Sequence, residues 1–146
     1  MIDKLLILSL GGSLEPLRIS LTHHRPTRVL VYASQGSAVN LAVLAQELGD
    51  SLQVFECMNP NDIADCHAVA LRCLETAFNT PCGHIVVDFT GGTKVMSAAL
   101  VLACRQRDVT LSYVGGDSRA KNGLGTVTDG SEMIVCRQMK QLREGA

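Results

Sequence analysis

The chain has 146 residues, of which 47% are hydrophobic and 18% charged, a composition that fits one α/β domain with an aliphatic core and excludes a disordered protein. A net charge of -1 excludes general affinity for duplex DNA, so an anionic ligand has to be held by a local pocket. No apolar run is long enough to span a bilayer and Met1-Ile2-Asp3-Lys4 does not open a signal peptide, so no membrane partner and a cytoplasmic location are expected.

Lys4 to Leu10 reads as an apolar strand closed by Gly11-Gly12-Ser13, and Glu15 to His24 carries Leu17, Ile19 and Leu21 at helical spacing. Thr27 to Ala33 predicts a second strand and Ser34-Gln35-Gly36-Ser37 a loop, followed by a helix from Ala38 to Leu48 that stops at Gly49. Leu52 to Cys57 is the third strand, and Asn59-Pro60-Asn61-Asp62 supplies a turn and an N-cap for a helix over Ile63 to Phe78. A fourth strand, Ile85 to Phe89, is joined by Thr90-Gly91-Gly92-Thr93-Lys94 to a helix over Ser97 to Arg105. Val109 to Val114 reads as the fifth strand, ending at Gly115-Gly116-Asp117. Ser118 to Gly130 is polar and glycine-rich, with turn signals at Asn122-Gly123 and Asp129-Gly130, and Met133 to Met139 reads as a last, antiparallel strand. Strands alternating with helices imply a mainly parallel sheet covered on both faces, with right-handed crossovers, in one domain over 1–146.

The six cysteines, Cys57, Cys66, Cys73, Cys82, Cys104 and Cys136, form no C-x-x-C pair and lie mostly in apolar runs, so buried free thiols are expected. Cys66-His67 has no second pair at ligand spacing, and neither a metal nor a cofactor is expected. His23 and His24, at the far end of the first helix, are expected on the solvated surface, and Tyr113 is expected as a sheet residue.

Thr90 to Lys94 holds the strongest chemical signal. Gly91 and Gly92 let backbone N–H groups approach a phosphate, the next helix's dipole favours negative charge, Lys94 adds a cation, and Thr90 and Thr93 offer hydroxyls. In an open parallel sheet, ligands sit at the carboxyl ends of the strands, where Gly11-Gly12-Ser13, Ser34-Gln35-Gly36-Ser37 and Gly115-Gly116-Asp117 also fall. Gly11-Gly12-Ser13-Leu14-Glu15-Pro16 is not G-x-G-x-x-G, and Tyr32-Ala33-Ser34 lacks the acid that would hold a ribose, which excludes a nicotinamide cofactor. Gly92-Thr93-Lys94 has the wrong upstream glycine spacing for a P-loop, and Val95 stands where a magnesium-binding hydroxyl is needed, which excludes an ATPase.

Asp88-Phe89-Thr90-Gly91-Gly92-Thr93-Lys94-Val95-Met96-Ser97 resembles the signature loop of CARF domains, the CRISPR-associated Rossmann-fold sensors of type III CRISPR systems, which act in antiviral defence. Leu8 to Pro16 and the Arg28-to-Ser34 strand are similar to that family too. The resemblance implies a Rossmann-like three-layer αβα sandwich and a homodimer whose strand ends form one two-fold site for a cyclic oligoadenylate second messenger. Thr90, Gly91, Gly92, Thr93 and Lys94 would then contact the phosphate ring. Gly11, Gly12, Ser13, Ser34 and Gln35 would line the same pocket, while Met96 faces an adenine or packs in the core.

Three functions fit these residues. A stand-alone ring nuclease would cleave the messenger without metal, leaving a 2′,3′-cyclic phosphate, with Lys94 stabilising the phosphorane charge and Ser13 orienting the attacking or leaving oxygen. A non-catalytic sensor would use the same pocket to regulate an effector protein, separate or fused. More distantly, the pocket suits an unrelated nucleotide or phosphosugar.

Overall fold

The computed structural model describes residues 2–116 and 132–145. At its centre lies β1 (Ile2–Leu10), in which every side chain from Leu5 to Leu10 is buried. A near-continuous apolar run of this kind is what a parallel strand covered on both faces requires. It is flanked by β2 (Arg28–Ser34) and β4 (Cys82–Asp88), and six strands follow the order β3-β2-β1-β4-β5-β6. The outer strands are β3 (Leu52–Cys57) and β6 (Glu132–Gln138), with β5 (Thr110–Gly116) next to β6. All pairings are parallel except β5 with β6, where Ser112 faces Cys136.

Alternate residues of β1 feed two separate cores. Leu6, Leu8 and Leu10 pack with Leu17 of α1 (Glu15–His24) and Leu44 of α2 (Ala38–Leu48). Leu5 and Ile7 face the opposite way, toward Cys66, Ala70 and Leu74 of α3 (Ile63–Phe78) and Met96 and Leu100 of α4 (Lys94–Ala103). These layers make the Rossmann-like αβα sandwich with its antiparallel C-terminal edge that the sequence implies. All six cysteines are free thiols, and burial pushes Cys57 and Cys104 up to about 12. Among the described residues no helix is long and apolar enough to cross a membrane.

The element boundaries differ from the sequence reading in informative places. Helix α4 begins at Lys94, not Ser97, because the Thr93 hydroxyl caps the N–H of Met96 at 3.1 Å and starts the helix one turn early. Met139 closes no strand: it is buried and opens a short helix, α5 (Met139–Glu144). The turn signals between Ser118 and Gly130, and Asp117, lie outside the described residues. Strands β1 and β4 are neighbours whose following helices cover opposite faces, so their loops diverge around a crevice at the carboxyl edge.

Candidate functional site

Asp88, the last residue of β4, anchors the glycine loop. Its carboxylate is 2% exposed and accepts the Ser20 hydroxyl at 2.9 Å, the Ser112 hydroxyl at 2.8 Å and the Thr90 N–H at 3.0 Å. The last of these is an Asx-type turn, which bends the chain away from the sheet at once. Thr90 then accepts the N–H of Val114 at 2.8 Å, tying the loop to β5, and among the described residues its own hydroxyl hydrogen has no acceptor. At Gly92 the backbone turns through a φ of 86°, a conformation that favours glycine.

Close backbone approach welds the β1 and β4 loops together. A Cβ at Gly11 would lie 2.8 Å from both the N and Cα of Gly92, and one at Gly91 would fall on the carbonyl oxygen of Ser9. The β2 loop joins them through Ser37, whose hydroxyl reaches the carbonyls of Leu10 at 3.2 Å and Gly11 at 3.3 Å, and through Asn40, whose amide reaches Gly11 at 3.2 Å. Three loops expected to share one edge are therefore in contact.

Exposure sorts the expected residues. Gly12, Ser13, Gln35, Gly92 and Lys94 face solvent, with Gly11, Ser34, Thr90 and Gly91 half-buried beside them. Lys94 is the first residue of α4 and is exposed, so it adds a positive charge to the helix end whose first-turn N–H groups have no intrahelical partner. Cation, helix end and glycine backbone are the groups with which an anion can be held.

Two expectations are corrected in part. Met96 is fully buried among core residues and touches the underside of Gly92, so it props the loop and presents nothing to a ligand. The Thr93 hydroxyl gives its hydrogen to the Pro60 carbonyl and accepts the Met96 N–H, so that hydroxyl caps α4 and ties it to the turn before α3. A third correction concerns His24, which is 6% exposed and not solvated, and meets Ser112 at 2.9 Å. Burial, then the charges of His23 and Lys4, pulls its pKa down to about 4 against the opposing pull of Asp88. His23 is exposed as expected.

Sequence reasoning missed Asp88, Ser20, Ser112 and Asn40 as the parts that hold the loops. The i to i+2 spacing of Asp88 and Thr90 is a readable turn signal; the other contacts join residues 29 to 68 positions apart, or 24 for Ser112, and carry no local pattern.

The sequence matches no protein-family model and no curated protein. Solved structures match its fold. Can2 from Sulfobacillus thermosulfidooxidans in complex with cyclic tetra-adenylate is 20% identical with a TM-score of 0.65, over 82% of this chain and 33% of Can2. A type III CRISPR defence DNA nuclease activated by cyclic oligoadenylate is 19% identical with a TM-score of 0.65, over 79% of this chain and 19% of the nuclease. Enterococcus italicus Csm6 bound to cyclic hexa-2′-fluoro-hexa-dAMP is 16% identical with a TM-score of 0.63, over 88% of this chain and 36% of Csm6. The chain thus spans about a third or less of these proteins. They are CARF-domain proteins, and the chain has their Rossmann-like fold.

Proposed function

We propose that the chain binds a cyclic oligoadenylate, cyclic tetra- or hexa-adenylate, across a two-fold homodimer in type III CRISPR signalling. The observation that carries this reading is the welded pair of loops at the β1/β4 crevice, with Lys94 and the α4 N-terminus exposed on it. One such surface offers one cation and one helix end. A ring with repeated phosphates needs that set more than once, and a two-fold axis supplies it. The solved neighbours bound to cyclic tetra-adenylate and to a cyclic hexanucleotide support the ligand class.

The same surface suits slow, metal-independent cleavage. A ribose 2′-oxygen attacks the adjacent phosphorus, the 5′-oxygen leaves with a proton, and a 2′,3′-cyclic phosphate remains. Lys94 offsets the charge gathered on the phosphorane, and exposed Ser13 orients the attacking or leaving oxygen. The three loops carry no histidine to serve as acid or base, which favours a sensor for a separate effector as the second reading.

The test is to incubate the purified protein with each ring, without metal, and to follow binding by calorimetry and products by chromatography. Binding weakened at least about tenfold in Lys94→Ala supports the site. Linear products that vanish in Ser13→Ala assign the nuclease, intact ligand assigns the sensor, and failure to bind either ring refutes both.

A further inference from the structure

The geometry points to a second site, independent of the glycine loops: His23, His24 and Cys136 form a binding site for a divalent cation of the zinc class. A ring nitrogen of each histidine and the Cys136 sulfur lie within 4.8 Å of one another. Residues 23 and 24 close α1, and Cys136 comes from β6, more than a hundred positions later, so the fold itself assembles the set. The β5–β6 register places Cys136 directly opposite Ser112, on the sheet face that meets α1.

Proton bookkeeping supports ligation. Ser112 has one hydroxyl hydrogen and gives it to the Asp88 carboxylate at 2.8 Å, so it accepts from Nε2–H of His24 at 2.9 Å. His24 is thereby fixed as the Nε2–H tautomer, so Nδ1 is the nitrogen that would ligate a metal. An imidazole whose other nitrogen is held through a hydroxyl to a buried carboxylate is the usual outer arrangement of a metal-binding histidine. Nothing in a merely packed histidine requires that chain to end beside a second imidazole and a thiol.

Two imidazoles and a thiol select a borderline-soft ion and disfavour magnesium or calcium, which take oxygen ligands. Tetrahedral zinc would bring the ligand atoms to about 3.5 Å apart, so exposed His23 and half-buried Cys136 would both rotate toward buried His24 to close the set. On binding, the Cys136 S–H bond breaks, its proton goes to solvent and the sulfur's electron pair bonds the metal. The fourth position is left to water, and a cleft of about 510 Å³ between α1 and β6, lined by Glu15, Thr22 and Ile134 among others, opens beside His23. The ion would sit three hydrogen bonds from the glycine loop, through Ser112, Asp88 and the Thr90 N–H.

Cobalt(II) titrated into the chelator-treated full chain tests this directly. The expected result is one cobalt per chain, with tetrahedral visible absorption and a near-ultraviolet thiolate-to-cobalt band, both abolished by zinc. Cys136→Ser should lose the thiolate band and His23→Ala should weaken binding at least about tenfold, while Cys82→Ser, at another half-buried thiol, changes nothing. Circular dichroism checks that each variant is folded, and His23→Ala serves as the ligand test if Cys136→Ser is not. No thiolate band in the parent chain, or a band that survives in folded Cys136→Ser, or unchanged affinity in His23→Ala, overturns the site.

Discussion

Replacing Gly11 by alanine tests whether the crevice is built on backbone contact. The new Cβ would lie 2.8 Å from two backbone atoms of Gly92, where carbon contacts are comfortable only near about 3.5 Å. Neither partner is a side chain that can swing away, so one loop must shift by roughly 0.7 Å, and overpacking of this kind costs about 1–3 kcal/mol. For a chain of this size that lowers the melting temperature by about 3–10 °C. Gly12 is the internal control: a Cβ there meets nothing within 4 Å, so Gly12→Ala should stay within about 0.5 kcal/mol of the parent. Thermal and urea unfolding of the two variants, side by side, measure the difference. Equal melting temperatures, or a larger loss in Gly12→Ala, would refute the contact between the β1 and β4 loops.

Three further perturbations follow from the buried polar network. In chelator, the depressed pKa of His24 makes the unfolded chain bind more protons than the folded one between about pH 6.5 and 4. Stability is therefore complete above pH 6.5 and falls as pH drops toward 4, by about 3 kcal/mol in all, a slope that urea titrations should lose in a folded His24→Gln. Asp88→Ala strips the Ser20 and Ser112 hydroxyls and the Thr90 N–H of their acceptor, so a loss of at least about 2 kcal/mol and faster hydrogen exchange at Thr90 are expected; unchanged exchange there would contradict its anchoring role. Tyr32 donates toward the carbonyls of Cys66 at 3.2 Å and Met96 at 3.1 Å, bracing α3 against α4, and Tyr32→Phe should cost about 1–2 kcal/mol in chemical unfolding.

The layers of the fold were legible because burial writes itself into periodicity. Leu5 to Leu10 is apolar almost throughout since both sheet faces are covered, and the glycines at the strand ends mark where backbone meets backbone. The exposed half of the site, Gly12, Ser13, Gln35 and Lys94, was readable for the same reason: small residues and a cation after apolar strands. Residues that look alike in sequence then parted company in three dimensions. Among the described residues the Thr90 hydroxyl only accepts, whereas the Thr93 hydroxyl also donates, to the Pro60 carbonyl. His23 and His24 differ by one position and about a quarter turn of helix, which puts one in solvent and the other against Ser112. No local pattern records such neighbours, since α1, β5 and β6 meet only once the sheet has closed over them.

The shared two-fold site is tested most directly by the stoichiometry of binding, read by calorimetry with cyclic tetra- and hexa-adenylate on protein whose mass is measured in the same buffer. Saturation at one ring per two chains, by a dimer, is the expected result, with a linear oligoadenylate of equal length bound at least about tenfold more weakly because it must be ordered first. Saturation of a monomer at one ring per chain, or no binding of either ring, would contradict it.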